Sequence, residues 1–385
     1  MSTSMFDNAL RIKGYGSYPE GTCRSDARGT RALRDGFKVR VEVIESLEEY
    51  VRFINTLETS FENPVFYRGQ VNANYIPIPY SLRIDPKNEN LLIEAFSRRF
   101  SNEVDSCRNA LSKLVLMQHY DLSTRCMDIT ENPLAALYFA CVPYKKYKRA
   151  KVDEENTWGE IILYRERGDG DDDDDDKKRP ERLKTVESSS ASIIANTAFM
   201  DADFTLWHLG SFWKKDANQT YNEKYINLRT IVRSSFIVRV PQNNPRIRNQ
   251  QGAFILASAS TAYLDKNDTK EKELTEYILS RKHITYAKLL DDSPFKNLMD
   301  KDKTWLLRFK KVRPYDSEFG IFNTDPFDFR RLFYKDGEGR QLVVLIPPKA
   351  KKRIVEDLSR FNIREDYIYP DMDSVANEIN IEINK

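Results

Sequence analysis

The chain has 385 residues, of which 61 are basic and 59 acidic, so its formal net charge is +2. This near balance excludes a strong overall field that would attract nucleic acid or a membrane surface, and any such binding would have to be local. Hydrophobic residues make up 40% of the sequence, which is ample for a packed core and unlike a disordered chain.

We expect one α+β domain with a mixed or split β-core, flanked by helices and decorated with charged insertions. Residues 1–36 are rich in Gly, Ser and Arg without periodicity and are predicted to form a flexible arm, which leaves residues 37–380 for the domain. Residues 38–43 alternate strictly and predict a strand. Residues 46–57 predict a helix, because an N-cap serine precedes an acidic first turn and apolar residues spaced by three and four.

Further elements are predicted along the rest of the chain. They are strands at 64–70, 158–164, 235–240, 252–257 and 340–347, one or two helices at 89–117, a buried helix at 133–144 and a helix at 349–361. The strands at 235–240 and 252–257 should pair across a turn. Residues 166–230 and 262–330 are expected to be insertions. The first contains the run Asp171 to Asp176, interpreted as a solvated loop, with calcium binding as the alternative.

The cysteine, histidine and hydropathy patterns indicate in which cellular compartment the protein is located. The four cysteines form no Cys-x-x-Cys pair and the three histidines give no zinc spacing, so we expect reduced thiols and no metal site. No window approaches the ~18 apolar residues of a membrane span, and residues 1–16 lack the pattern of a signal peptide. The sequence thus favours a cytoplasmic protein without a membrane partner.

Residues 114–140 are the most informative stretch, because polar residues lie there between two apolar helical patterns. Each polar group taken out of water without a partner costs about 1–3 kcal/mol, so this concentration predicts an organised polar site. His119 is a candidate base, a hydrogen-bond donor to a ribose, or a satisfied core histidine. Arg125 and Asp128 are candidate ligand-binding residues or a structural ion pair with each other.

Arg68 and Gly69 end a predicted strand. The missing side chain of glycine would let a ligand approach the backbone, while the guanidinium bound a phosphate or carboxylate in bidentate fashion. The alternative is a surface ion pair. The sequence has no Gly-x-Ser-x-Gly elbow and no glycine-rich phosphate loop, which argues against hydrolases, P-loop enzymes and classical dinucleotide folds.

Four motifs, in this order, resemble the FRG domain, a family named for its aromatic-Arg-Gly motif. They are Tyr67-Arg68-Gly69, then Gln118-His119-Tyr120 with Thr124-Arg125 and Asp128, then Asn132-Pro133-Leu134-Ala135-Ala136-Leu137-Tyr138-Phe139-Ala140, and finally Gln250-Gln251-Gly252-Ala253-Phe254. The resemblance covers residues 40–380 and implies an FRG-like domain. It implies no established reaction.

The order of the motifs is similar, more weakly, to that of mono-ADP-ribosyltransferases. This second resemblance implies NAD as substrate, no metal, and Gln251 in the place of an acidic third residue. It implies a cofactor-binding set of Tyr67, Arg68, Gly69, His119, Thr124, Arg125 and Thr130, and a catalytic set of Arg68, His119, Gln251 and Asp128. Arg68 would hold a phosphate, and Thr130 with the helix from Pro133 would line the nicotinamide side.

The chemistry behind this expectation is cleavage of the nicotinamide glycosidic bond, which forms an oxocarbenium-like centre that a carboxylate stabilises. Gln251 can hold a ribose hydroxyl but supplies no charge, so Asp128 is the alternative acid. We therefore expect an ADP-ribosyltransferase-like effector or toxin of an anti-phage or toxin–antitoxin system. Its partners would be a protein, RNA or DNA acceptor and an antitoxin or regulatory protein.

Two other function classes remain open from the residues. The first is a non-enzymatic FRG-type sensor that binds a nucleotide or a peptide in the same polar cleft. The second is a nuclease, for which the basic stretches at 145–149 and 308–311 are the motivation, although solvated surfaces are the commoner explanation of such stretches.

Overall fold

A mixed β-sheet forms the centre of the structure. Its strands are β1 (Thr30–Ala32), β2 (Lys38–Val43), β3 (Phe66–Gln70), β4 (Cys126–Thr130), β5 (Gly159–Tyr164), β6 (Lys184–Thr185), β8 (Phe236–Arg239), β9 (Gly252–Leu256) and β14 (Gln341–Ile346). The spatial order is β1-β2-β14-β5-β3-β4-β9-β8-β6. β14 pairs with β2 and β6 with β8 in parallel, and the other pairs are antiparallel. This confirms the predicted α+β fold with a mixed β-core.

Two smaller sheets accompany the central one. β7 (Asp203–Leu206), β10 (Ser260–Leu264) and β11 (Leu307–Lys311) form the first, in the order β10-β11-β7, and β12 (Tyr315–Asp316) pairs with β13 (Ile321–Phe322) in the second. β7, β11, β12 and β13 lie within the segments expected to be insertions, and β10 begins two residues before the second of them.

The structure, a computed structural model, describes residues 30–32, 38–60, 63–73, 75, 77–79, 81–82, 86–120, 122–143, 156–166, 184–185, 188–206, 232, 234–242, 244–264, 307–311, 315–316, 321–322, 332–337 and 341–370. The aspartate run from Asp171 to Asp176 lies outside these residues. So does most of the predicted N-terminal arm, of which Thr30–Ala32 is described and pairs with β2.

The described residues contain nine α-helices. They are α1 (Leu47–Ile54), α2 (Glu89–Arg99), α3 (Ser101–Asp105), α4 (Ala110–His119), α5 (Pro133–Cys141), α6 (Ser189–Ala198), α7 (Pro245–Asn249), α8 (Pro348–Arg360) and α9 (Glu365–Ile368). The segment at 89–117, which was predicted to form one or two helices, belongs to three helices, α2, α3 and α4. Phe100 leaves helical geometry between α2 and α3, and the Asn109 side chain caps α4 by accepting from the main-chain N of Ser112.

The helices cover one face of the central sheet, and strand periodicity decides which side chains they meet. Tyr67 and Leu163 point towards α1, α5 and α8, whereas their neighbours Phe66 and Ile162 point to the opposite face. Over the other half of the sheet, α4 and α6 pack on residues of β4, β8 and β9. The helical layer therefore consists of two groups, and β4 lies where they meet.

Gly69 and Gly159 allow α5 to approach the sheet closely. A Cβ atom on Gly69 would lie 1.9 Å from the main-chain O of Ala136, and one on Gly159 would lie 2.1 Å from that of Ala140. The space at Gly69 that the sequence analysis assigned to a ligand is occupied on this side by the backbone of α5. The two glycines thus have a packing role.

Two expectations about the helices and the cysteines can be compared with the described residues. Not one of the helices in this part of the chain combines the length and the apolar character that a membrane crossing requires. Cys107, Cys126 and Cys141 carry free thiols, and Cys126 and Cys141 are buried. Burial raises the pKa of each of these two thiols to about 12, so both stay protonated at neutral pH.

Candidate functional site

The central sheet is split between β3 and β4. All residues of these two strands are described, and only Tyr67 and Thr130 pair across them, whereas five pairs join β3 to β5 and five join β4 to β9. Arg68 lies on the diverging side, and its Nη1 donates to the main-chain O of Asp128 at 2.5 Å. The guanidinium therefore replaces a hydrogen bond that the sheet would otherwise make at this place.

Asp128 is the one exposed residue of β4, whose other four residues are buried. It pairs with Phe254, which packs under α4 and α6, so its side chain lies on the helix-covered face. The exposed carboxylate shows that the two helix groups leave a gap over β4. Gln118 lines the gap from α4, where its Nε2 donates to Oδ2 of Asp128 at 3.4 Å. We call this gap, with Asp128 at its base, the β4 cleft. Arg68 reaches the main-chain O of Asp128 from the opposite face of the sheet.

Thr124 fixes the orientation of Gln118. Its Oγ1 donates to Oε1 of Gln118 at 2.8 Å and accepts from the main-chain N of Cys126 at 3.1 Å. Because Oε1 is an acceptor, the amide nitrogen of Gln118 is turned towards Asp128. Thr124 thereby contributes to the cleft by positioning Gln118.

His119 connects α4 to α7 through Asn244. The Oδ1 of Asn244 accepts from the main-chain N atoms of Arg246 and Ile247 and so caps the N-terminus of α7. Its Nδ2 lies 2.9 Å from Nε2 of His119. Because the capping bonds fix the amide orientation, Nε2 of His119 is the acceptor, and the neutral ring carries its proton on Nδ1.

Asn244→Ala is expected to lower the free energy of unfolding by about 0.5–2 kcal/mol, because it removes a helix cap. Asn244→Asp keeps the capping oxygen and should retain most of that stability, although it removes the donor to His119. Urea unfolding of both variants measures the difference, and equal losses would contradict the capping role. In the ¹⁵N spectrum of His119, only the wild type should show the Nδ1–H tautomer with Nε2 as an acceptor.

Thr130 and Gln251 join the end of β4 to the end of α7. Oγ1 of Thr130 donates to the main-chain O of Gln250. The main-chain N of Glu131 donates to the main-chain O of Gln251 at 3.1 Å. Gln251 has a left-handed backbone with φ of 47° and an exposed side chain. Thr130 therefore ties two elements together, while the side chain of Gln251 is free to meet solvent or a ligand.

The C-terminal part of the chain holds α7 in place. Nδ2 of Asn249 donates to the main-chain O of Tyr367 at 2.8 Å, and Nε2 of Gln250 donates to that of Ile368 at 2.9 Å. The guanidinium of Arg246 lies 5.0 Å from the centre of the Tyr369 ring. The position of α7, next to His119, thus depends on residues 367–369.

Arg125 lies in the core rather than in the β4 cleft. Its guanidinium forms two hydrogen bonds with the carboxylate of Glu89, and its Nη1 donates to Oγ1 of Thr197 at 2.6 Å. Nζ of Lys311 lies 3.6 Å from the same carboxylate, and all three charged side chains are buried. The alternative expectation of an ion pair between Arg125 and Asp128 is wrong, because Glu89 is the partner.

Tyr67 is also buried, under α1 and α5. Burial, with a smaller contribution from Tyr334, raises the pKa of its hydroxyl to about 12. Among the predicted site residues, the structure therefore brings Arg68, Thr124 and Asp128 together, places His119, Thr130 and Gln251 around α7, and puts Tyr67, Gly69 and Arg125 into packing positions.

Sequence reasoning assigned no role to Asn244 and treated Gln118 only as part of a motif. The pair Asn244-Pro245 is typical of an N-cap followed by a proline at the first helical position, and this pattern could have revealed α7. As for metals, the described residues contain no group of three or more His, Cys, Asp or Glu side chains that could hold an ion.

Comparison with known proteins gives one result. The model of the FRG domain family matches residues 63–149, a segment that includes Arg68, His119 and Asp128 and ends before α7. No curated protein and no solved structure is detectably similar to the chain. The comparisons thus give no support to the resemblance to ADP-ribosyltransferases, and the family to which this chain is similar, over residues 63–149, is the FRG domain.

Proposed function

We propose that the β4 cleft binds NAD and that the chain transfers ADP-ribose from it to a macromolecule. The observation that carries this proposal is the exposed carboxylate of Asp128 in the middle of an otherwise buried strand. A guanidinium reaches the backbone of the same residue from the opposite face of the sheet, because Arg68 donates to the main-chain O of Asp128. A cation for phosphate and an anion for a positively charged sugar are the two groups that this chemistry needs.

In the proposed reaction, the bond between C1′ of the ribose and the nicotinamide nitrogen breaks, and its electron pair leaves with nicotinamide. Asp128 stabilises the oxocarbenium-like centre by charge and holds a ribose hydroxyl. A nucleophile of the acceptor then attacks C1′ and loses its proton. Gln251, whose exposed side chain lies at the end of α7, contributes a hydrogen bond to the sugar but no charge.

The proposal places the protein in the cytoplasm, where NAD and macromolecular acceptors are available. Because unrestrained modification of macromolecules harms a cell, such an enzyme would serve as a toxin or an anti-phage effector. An antitoxin or another regulatory protein would restrain it. Protein, RNA and DNA acceptors all carry suitable nucleophiles.

The test is incubation of the full chain with labelled NAD, with and without cell lysate, while nicotinamide release and label transfer are measured. Asp128→Asn should lower the rate of release by about 100-fold, because it removes a charge that acts in the transition state. Glu356→Gln removes an exposed carboxylate from α8 and should leave the rate unchanged. Absence of release, transfer and NAD binding in the wild type would refute the proposal, as would an Asp128→Asn variant with the wild-type rate.

A second candidate function is a non-enzymatic module that senses a nucleotide or a peptide in the same cleft. Gln251 favours it, because an amide in the place of the expected acid supplies binding without charge. In that case NAD or another nucleotide binds but no nicotinamide is released. Arg68→Lys, which keeps the charge but loses the planar fork, should weaken binding. Arg52→Lys, on the exposed face of α1, is the matched control.

A further inference from the structure

On the sheet face opposite the helices, Arg68 and Tyr164 each carry a buried polar atom that lacks a hydrogen-bond partner among the described residues. These atoms are Nε of Arg68 and Oη of Tyr164. Their side chains leave the neighbouring strands β3 and β5 on the same face, since Arg68 pairs with Ile162 and Phe66 pairs with Tyr164. The Arg68 charge lowers the pKa of Tyr164 against the larger, opposite effect of burial, which is consistent with their proximity.

Apolar side chains lie next to this pair, and the buried carboxylates of Glu160 and Glu166 flank it along the same strand face. Phe66 and Ile162 belong to the same buried cluster as Tyr164, and the Phe333 ring lies 5.5 Å from the Tyr164 ring, centre to centre. A polar group left without a partner in such surroundings loses its hydration with no compensation. The native structure thus holds a charged N–H donor and a hydroxyl in positions that are costly unless a third group joins them.

We propose that Arg68 and Tyr164 form an oxyanion subsite, in which one phosphate oxygen accepts hydrogen bonds from Nε of Arg68 and Oη of Tyr164. The split between β3 and β4 is the way in, because the strands separate beyond Tyr67 and Thr130. Arg68 is only half-buried, so its side chain connects the buried pair with the outside. The inference rests on the proposed function in one respect, since it assigns the phosphate groups of NAD to this subsite. The same subsite should also bind pyrophosphate alone.

The experiment measures binding of inorganic pyrophosphate to the full chain by calorimetry. Tyr164→Phe removes only the hydroxyl and should weaken binding about tenfold, the effect of one lost charge-assisted hydrogen bond. Because this hydroxyl has no partner within the described part of the chain, the variant should keep the thermal unfolding temperature of the wild type or exceed it. This combination separates a binding role from a structural one.

Tyr50→Phe is the matched control, because the buried hydroxyl of Tyr50 donates to the main-chain O of Pro133 at 3.0 Å. It should lower the unfolding temperature and leave pyrophosphate affinity unchanged. Lack of pyrophosphate binding by the wild type would overturn the inference. Equal affinity of the wild type and Tyr164→Phe would do so as well, as is expected if a buried water occupies the subsite.

The two proposals fail separately. A tenfold loss in Tyr164→Phe together with no cleavage of NAD would keep the subsite and refute the transferase. Cleavage of NAD together with an unchanged pyrophosphate affinity in Tyr164→Phe would refute the subsite alone.

Discussion

Gly69→Ala is expected to prevent stable folding, with a loss of more than about 3 kcal/mol in the free energy of unfolding. The added methyl group would lie 1.9 Å from the main-chain O of Ala136 and 2.9 Å from the main-chain N of Ala140. Because both atoms belong to the backbone of α5, no side-chain rotation can relieve the overlap. The helix would have to move away from β3 and release the packing of both. Urea unfolding and the soluble yield measure the effect.

Gly337→Ala is the control for this substitution. A Cβ atom on Gly337 would meet no atom of the described residues within 4 Å, so the same chemical change should alter the free energy of unfolding by less than about 0.5 kcal/mol. Gly159→Ala should resemble Gly69→Ala, because its methyl group would lie 2.1 Å from the main-chain O of Ala140. A stable Gly69→Ala variant would contradict the packing role of glycine at this position.

Arg125→Leu is expected to lower the free energy of unfolding by about 3–5 kcal/mol, the usual cost of removing one member of a buried ion pair. Among the described residues, Glu89 would keep only Lys311, 3.6 Å away, to balance its charge. Nη1 of Arg125 also donates to the main-chain O of Ile194 at 3.0 Å, and this carbonyl would lose that bond. Denaturant unfolding of the wild type and the variant measures the difference.

The control for Arg125→Leu is Arg52→Leu, which breaks the exposed pair of Arg52 and Glu48 on α1. Exposed pairs of this kind contribute about 0.3–0.5 kcal/mol, so this variant should unfold close to the wild type. If Arg125→Leu lost no more than Arg52→Leu, the buried cluster would not be a determinant of stability. NAD binding by a folded Arg125→Leu variant should match that of the wild type, because Arg125 lies in the core.

Local patterns predicted much of the fold. Alternation predicted residues 38–43 as a strand, and the observed β2 has these bounds. The helix predicted at 46–57 is α1, and Ser46 caps it as expected, because its side chain accepts from the main-chain N of Glu49. The predicted pairing near residues 235–257 is confirmed by the antiparallel contact of β8 with β9. In each case neighbouring residues in the sequence decide the structure.

Other elements were not predicted because their local pattern is weak. The strand β4 lies within the stretch that was treated as polar residues between two helices. The exposed Asp128 in its middle interrupts the run of buried residues that would have predicted a strand. The connection between β8 and β9 was predicted as a turn and contains α7.

The candidate site was harder to predict than the fold, because its contacts join distant parts of the chain. Arg125 pairs with Glu89, which lies 36 positions earlier, and His119 meets Asn244, 125 positions later. No spacing within a motif contains this information. Packing fixes the role of each side chain, so a motif residue such as Arg125 becomes a core ion pair while Asp128 in the same motif reaches solvent.

The bonds from Asn249 and Gln250 to the carbonyls of Tyr367 and Ile368 have a consequence for protein engineering. The segment at 63–149 is the unit that the family model matches, but α7 and residues 367–369 lie outside it. A chimera that received only this segment would inherit Arg68 and Asp128 and lose the neighbour of His119. The portable unit therefore has to extend to α9 at its C-terminal end, because a segment that ends earlier would carry the motif without the residues that hold α7.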